Sequence, residues 1–138
     1  MPATFNFELV SPERLLVSET VDAVTLPATA GDMTILGDHA PVMTTLRPGM
    51  LTVTTEGGQR QEFVVFGGFA DVTVGSCTVL AEDATPRGEV SREALGERIA
   101  RARAEDETAR GGEDRERANR AEDYLNQLTT LEGAILPA

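Results

Sequence analysis

The period of the hydrophobic pattern changes once along this chain, near Ala84, and that change constrains the fold more than any other feature. Before it, short runs alternate with the period of two that a half-buried strand requires. Phe5, Phe7 and Leu9 share one face while Thr4, Asn6 and Glu8 take the other; Leu51, Val53 and Thr55 repeat the pattern, as do Phe63 with Val65 and Val72 with Val74. Gly, Pro and Asp cut these runs every few residues. Thr55-Glu56-Gly57-Gly58-Gln59 reads as a hairpin connection, and Gly75-Ser76 reads as a second one joining Val72–Val74 to Cys77–Leu80. Many short strands at this spacing predict a sandwich or flattened barrel.

After Ala84 the spacing becomes helical. Thr85-Pro86-Arg87-Gly88 reads as a linker, which sets a domain boundary between residues 85 and 86. Ser91 can cap a helix whose apolar positions Leu95, Ile99 and Ala102 fall at i, i+4 and i+7. Gly111-Gly112 breaks that run. A second helix follows, with Ala121, Tyr124, Leu128, Leu131 and Ile135 on one stripe and Ala118 and Leu125 beside it. The two stripes predict an antiparallel hairpin over residues 86–138. Its first helix offers only two large apolar side chains, and Gly96 costs about 0.8–1.0 kcal/mol relative to Ala, so the hairpin is expected to be thinly packed and detachable.

Charge follows the same boundary. Through Ala84 there are eleven acids and three bases; beyond it there are twelve acids and nine bases, so the hairpin is nearly balanced and can form pairs such as Glu97 with Arg101 and Glu116 with Arg120. The whole chain carries a formal charge of −11, which argues against a sequence-independent grip on nucleic acid. The most apolar segment, Phe63–Val72, is short and holds Gly67 and Gly68, so no membrane insertion is expected. Met1-Pro2-Ala3-Thr4-Phe5 has no basic stretch followed by an apolar one, so no signal peptide is expected.

Little points to catalysis. His39 is the single histidine, and a general base needs a nucleophile and an orienting group around it. Cys77, the single cysteine, lies far from His39 in sequence, so no zinc set and no other cofactor is expected. The acids Asp32, Asp38, Asp71, Glu82 and Asp83 sit among turn formers. Gly67-Gly68 has no following helix or Lys, so it predicts a bulge or a close strand approach rather than a phosphate loop. A binding protein is favoured over a small hydrolase built on His39.

Gly31-Asp32-Met33-Thr34-Ile35-Leu36-Gly37-Asp38-His39-Ala40-Pro41, closed by Leu46-Arg47-Pro48-Gly49, resembles the signature of the epsilon subunit of bacterial F-type ATP synthases. Val10-Ser11-Pro12-Glu13-Arg14, Phe66-Gly67-Gly68-Phe69-Ala70-Asp71-Val72 and Val79-Leu80-Ala81-Glu82 match further segments of that family, and the similarity runs across most of residues 4–88. The resemblance implies a ten-stranded β sandwich over residues 1–85 followed by a helical hairpin. It implies a non-catalytic central-stalk subunit on the cytoplasmic side of the bacterial inner membrane. Its partners would be the gamma subunit and the ring of c subunits, with the alpha/beta catalytic head as a further partner of the hairpin. By position, Ala30, Gly31, Asp32 and Met33 match the ring-contacting loop, and His39, Ala40 and Pro41 are expected near the same end. An acidic loop there suits polar or basic ring loops. Some members bind ATP through a hydrophobic-Asp-x-x-Arg-Ala motif on the first helix. This chain keeps Arg101-Ala102 but has Glu97-Arg98 in place of the hydrophobic-Asp pair, which argues against ATP binding.

Overall fold

The computed structural model describes residues 3–135, and these divide into two compact units with the boundary between Arg87 and Gly88. The first contains β1 (Phe5–Val10), β2 (Leu15–Ala28), β3 (Gly31–Leu36), β4 (Val42–Thr55), β5 (Arg60–Thr73), β6 (Ser76–Ala81) and β7 (Ala84–Pro86). The strands pair in the order β1-β6-β5-β4-β2-β3, and β1 also pairs with β2, so five of them close into a ring. β3 extends the sheet from β2, and β7 adds to β5. Closure removes most of the free edges that would invite aggregation.

The described residues hold seven strands, not the expected ten. β2, β4 and β5 are each 14 residues long, and two of them change neighbours midway. β2 pairs with β1 up to Val21 and with β3 from Ala23. β5 pairs with β7 at Phe63–Val65 and with β6 from Gly68. The turn signals inside these strands bend them without ending the ladder. β2 shifts register against β4 at two points, and Gly67 and Gly68 turn β5 with φ of 113° and 121°. Gly68 also marks the close approach anticipated from sequence: a Cβ there would overlap the Leu80 carbonyl oxygen and lie 2.8 Å from Ala81 Cα.

Two smaller expectations also change. Thr85 and Pro86 belong to β7 rather than to a linker. A proline is tolerated there because β7 is a three-residue strand that pairs only with β5. The β5–β6 turn is Val74-Gly75 rather than Gly75-Ser76, and Val74 stands 86% exposed instead of continuing the buried face of Val72.

The period-two positions do form the core. Phe5, Phe7, Leu9, Val21, Val24, Leu26, Leu51, Val53, Val65 and Val79 are buried inside the ring. Cys77 joins them with no exposed surface.

The second unit holds α1 (Arg92–Arg110) and α2 (Arg115–Ile135). Ser91 caps α1 as expected, its Oγ accepting the Ala94 N–H at 3.1 Å, and Gly111 ends it. Asp114 Oδ1 accepts the Arg117 N–H at 3.1 Å and so opens α2. Arg98 reaches Tyr124 Oη at 3.4 Å and Arg117 reaches Glu105 at 2.8 Å, which fixes the pair as antiparallel. The buried stripe of α2 is Ala121, Leu125, Leu128, Leu131 and Ile135. Glu116 and Arg120 form the surface pair the spacing suggested, at 3.7 Å.

Candidate docking face

The segment Ala30–Met33 is mostly strand. Only Thr29 and Ala30 form the turn between β2 and β3, while Gly31, Asp32 and Met33 already pair with Ala28, Pro27 and Leu26. Asp32 and its neighbours are fixed from β4. Arg47 donates through Nη1 to the Ala28 carbonyl oxygen at 2.5 Å and through Nη2 to Asp32 Oδ1 at 2.6 Å. Thr29 adds a hydroxyl contact to Thr45 at 2.8 Å. The Arg47 guanidinium partly offsets the charge of Asp32, whose side chain stays 65% exposed, so the tip presents a polar turn held from β4.

His39, Ala40 and Pro41 lie beyond the other end of β3. Five residue steps separate Gly31 from Leu36, or roughly 16 Å at strand rise, so the structure sets these two segments at opposite ends of one strand. The His39 N–H closes a turn onto the Leu36 carbonyl at 3.0 Å. Its Nδ1 is 2.7 Å from the Ala40 carbonyl oxygen. A carbonyl can only accept, so Nδ1 carries the proton and orients the ring. His39 is thus engaged in shaping its own turn.

Between those two ends runs a surface that local sequence reading missed. Directly paired residues on neighbouring strands project from the same side of a sheet. Thr45 pairs with Phe69, Phe69 with Leu80, Leu80 with Val10, and Val10 with Leu15. Phe69, Leu80 and Leu15 are 39%, 42% and 55% exposed, so an apolar row crosses four strands on the outside of the ring. The adjacent row is Met43, Asp71, Thr78 and Glu8; it adds a 66% exposed Met43 and two carboxylates. Scattered surface apolar residues are ordinary; an aligned row with a polar border is the arrangement found at interfaces, which makes this row the candidate docking face. Through Thr45 and Thr29 the row reaches the Thr29-Ala30 turn.

Comparison with known proteins fits this architecture. Residues 4–87 match the family model described as ATP synthase, Delta/Epsilon chain, beta-sandwich domain. An ATP synthase epsilon chain of Chelativorans sp. (strain BNC1) is 54% identical over 138 residues, the full length of both chains. This chain belongs to the ATP synthase epsilon-chain family. The epsilon chain of Mesorhizobium japonicum is 52% identical, again over the whole of both chains. A solved chain of the Euglena gracilis mitochondrial ATP synthase, from a structure of OSCP/F1/c-ring, is similar at 30% identity with a TM-score of 0.72, covering 97% of this chain and 82% of that one. A chain from the Tetrahymena thermophila mitochondrial ATP synthase central stalk/c-ring shares the fold at 20% identity and a TM-score of 0.54, over 64% of this chain and 70% of its own.

In this chain the first-helix remnant Arg101-Ala102 lines a groove of about 210 Å³ with Arg98, Glu105, Ala121 and Tyr124. That is below the usual range for small-molecule sites, about 300–1,000 Å³. Its wall carries Arg98, Arg101 and the Glu105 carboxylate, which Arg117 engages at 2.8 Å. Among the described residues no three His, Cys, Asp or Glu side chains converge as metal ligands, and no helix is long and apolar enough to cross a membrane. Cys77 is shut in the core; burial, and then the charge of Asp71, pushes its thiol up to about 12. It is therefore an inert packing residue.

Proposed function

We propose that this chain is a non-catalytic rotor subunit that couples ring rotation to ATP synthesis by binding gamma through the outer face of its β unit. The observation that carries the reading is the apolar row Phe69, Leu80, Val10 and Leu15, in a chain whose family is that of the epsilon subunit. The row fits an apolar ridge on a partner, and Glu8 and Asp71 beside it favour basic residues on that ridge's flank. The Thr29–Met33 tip, stiffened by Arg47, is the part that meets the c ring. His39, Ala40 and Pro41, at the opposite end of β3, border the gamma side near Met43. The helical hairpin is the regulatory part, acting on ATP hydrolysis by the alpha/beta head, with no nucleotide required. Assembled in this way, the chain sits at the cytoplasmic face of the membrane without entering it.

The test is binding of purified gamma by the full chain. Replacing Phe69 and Leu80 with Asp removes two central apolar contacts, each worth about 2 kcal/mol if they act as hot spots, and should weaken binding by at least about a hundredfold. Val74→Asp, at an already exposed turn, should leave it unchanged. Binding by the double variant within threefold of the parent would refute the assignment of this face. Deleting residues 88–138 should leave gamma binding intact while altering ATP hydrolysis by the assembled complex.

A further inference from the structure

The buried face of α1 runs Leu95, Ile99, Ala102, Asp106 and Ala109, the alternating four-and-three spacing of a helix–helix seam. Four of these are apolar. Asp106 is not, and it is only 1% exposed. Its Oδ2 accepts from Arg110 Nη2 at 2.6 Å, while its Oδ1 is buried with no partner among the described residues. The Arg110 side chain is 66% exposed, so the cation stays in water and the carboxylate alone is desolvated. A buried ion pair offsets its desolvation only when both partners are fully hydrogen-bonded, and this one is not.

The surroundings keep the carboxylate where it is. One residue earlier, Glu105 is tied across to Arg117 of α2. Ala102 and Ala109, on either side along the seam, are buried. While the helices stay paired Asp106 remains in the seam; when they part, water satisfies both of its oxygens. Its cost is thus borne by the paired state alone.

We infer that Asp106 is a built-in release point, a polar residue at a seam position that keeps the pairing of α1 and α2 weak and lets the hairpin open readily. The use of that opening in regulation rests on the role proposed above for the hairpin; the weakness of the pairing does not.

Amide hydrogen exchange of the full chain reads the pairing directly. Asp106→Ala should slow exchange across both helices by about tenfold or more. Asp123→Ala gains the same helix propensity at an exposed position of α2 and should change it by less than about threefold. Asp106→Asn keeps the size of the side chain and removes its charge, and should also slow exchange. Unchanged or faster exchange in both Asp106 variants overturns the inference, as does equal slowing by Asp123→Ala. If exchange slows as expected but ATP hydrolysis by the assembled complex does not respond to Asp106→Ala, the release point stands and the regulatory role of the hairpin falls.

Discussion

Gly68→Ala probes the joint on which the outer face depends. Gly68 has a φ of 121°, outside the regions an L-residue adopts readily, and that strain is worth about 1–3 kcal/mol. The new methyl would also overlap the Leu80 carbonyl oxygen and come within 2.8 Å of Ala81 Cα and 3.1 Å of the Leu80 carbonyl carbon. All three atoms are main chain of β6, so no side-chain rotation relieves the crowding, and forcing extra volume into a packed site costs about 1–3 kcal/mol more. Together the loss is about 2–6 kcal/mol, a large share of the 5–15 kcal/mol that is typical of a whole domain. Gly75→Ala is the matched control. It has a φ of 78° but open space where the methyl would go, so strain alone operates, at about 1–2 kcal/mol. Urea unfolding followed on β-unit amides should give a much lower midpoint for Gly68→Ala than for Gly75→Ala at equal slope. Equal losses in the two variants would refute the close-approach argument. Because Phe69 and Leu80 flank the same joint, the Gly68 variant should also bind gamma less tightly.

Two other expectations concern titration. With its thiol pushed up to about 12, Cys77 should react with iodoacetamide at pH 8 about a thousandfold more slowly than an unhindered cysteine of ordinary pKa; a rate within tenfold of a free thiol would contradict this. The same shift means that above pH 9 the unfolded state loses the proton before the folded state does, so stability should fall between pH 9 and about 12, and Cys77→Ala should remove that part of the fall. Glu105 is shifted the other way: the hydrogen bond from Arg117 holds its carboxyl below 4.5. Its contribution is therefore present above 4.5 and is lost as pH falls through the lowered value. Hairpin protection in hydrogen exchange should drop there in the parent and show no such step in Arg117→Ala.

What could be read from sequence was whatever depends on neighbours a few residues apart. Alternation alone placed Phe5, Phe7 and Leu9 inside, and Ser91, Leu95, Ile99 and Ala102 took the cap and seam positions their spacing implied. The misses have physical causes. Counting strands by turn signals fails where a bulge or a glycine pair bends a strand without breaking its hydrogen bonds, as in β2 and β5. Arg47 falls within the motif, but its hold on Asp32 spans fifteen positions. The docking row needs the registers of five strands at once, including a parallel pair far apart in the chain. Asp106 was legible in principle: it falls in step with Ala102 and Ala109, but carboxylates are so seldom buried that the pattern passes over them.

The parallel pairing of β1 with β6 bears on how the protein is made. Asn6 pairs with Ser76 and Val10 with Leu80, so the first strand of this unit to be made must wait for nearly the last one before the ring can close. Until then β1 can hold only to β2, and the faces of Phe5, Phe7 and Leu9 lack half of their cover. Long-range closure of this kind slows folding and leaves a hydrophobic ribbon open during synthesis. A nascent chain stalled before residue 76 is therefore a sticky intermediate, and release of the last few β residues is the step that makes it a protein.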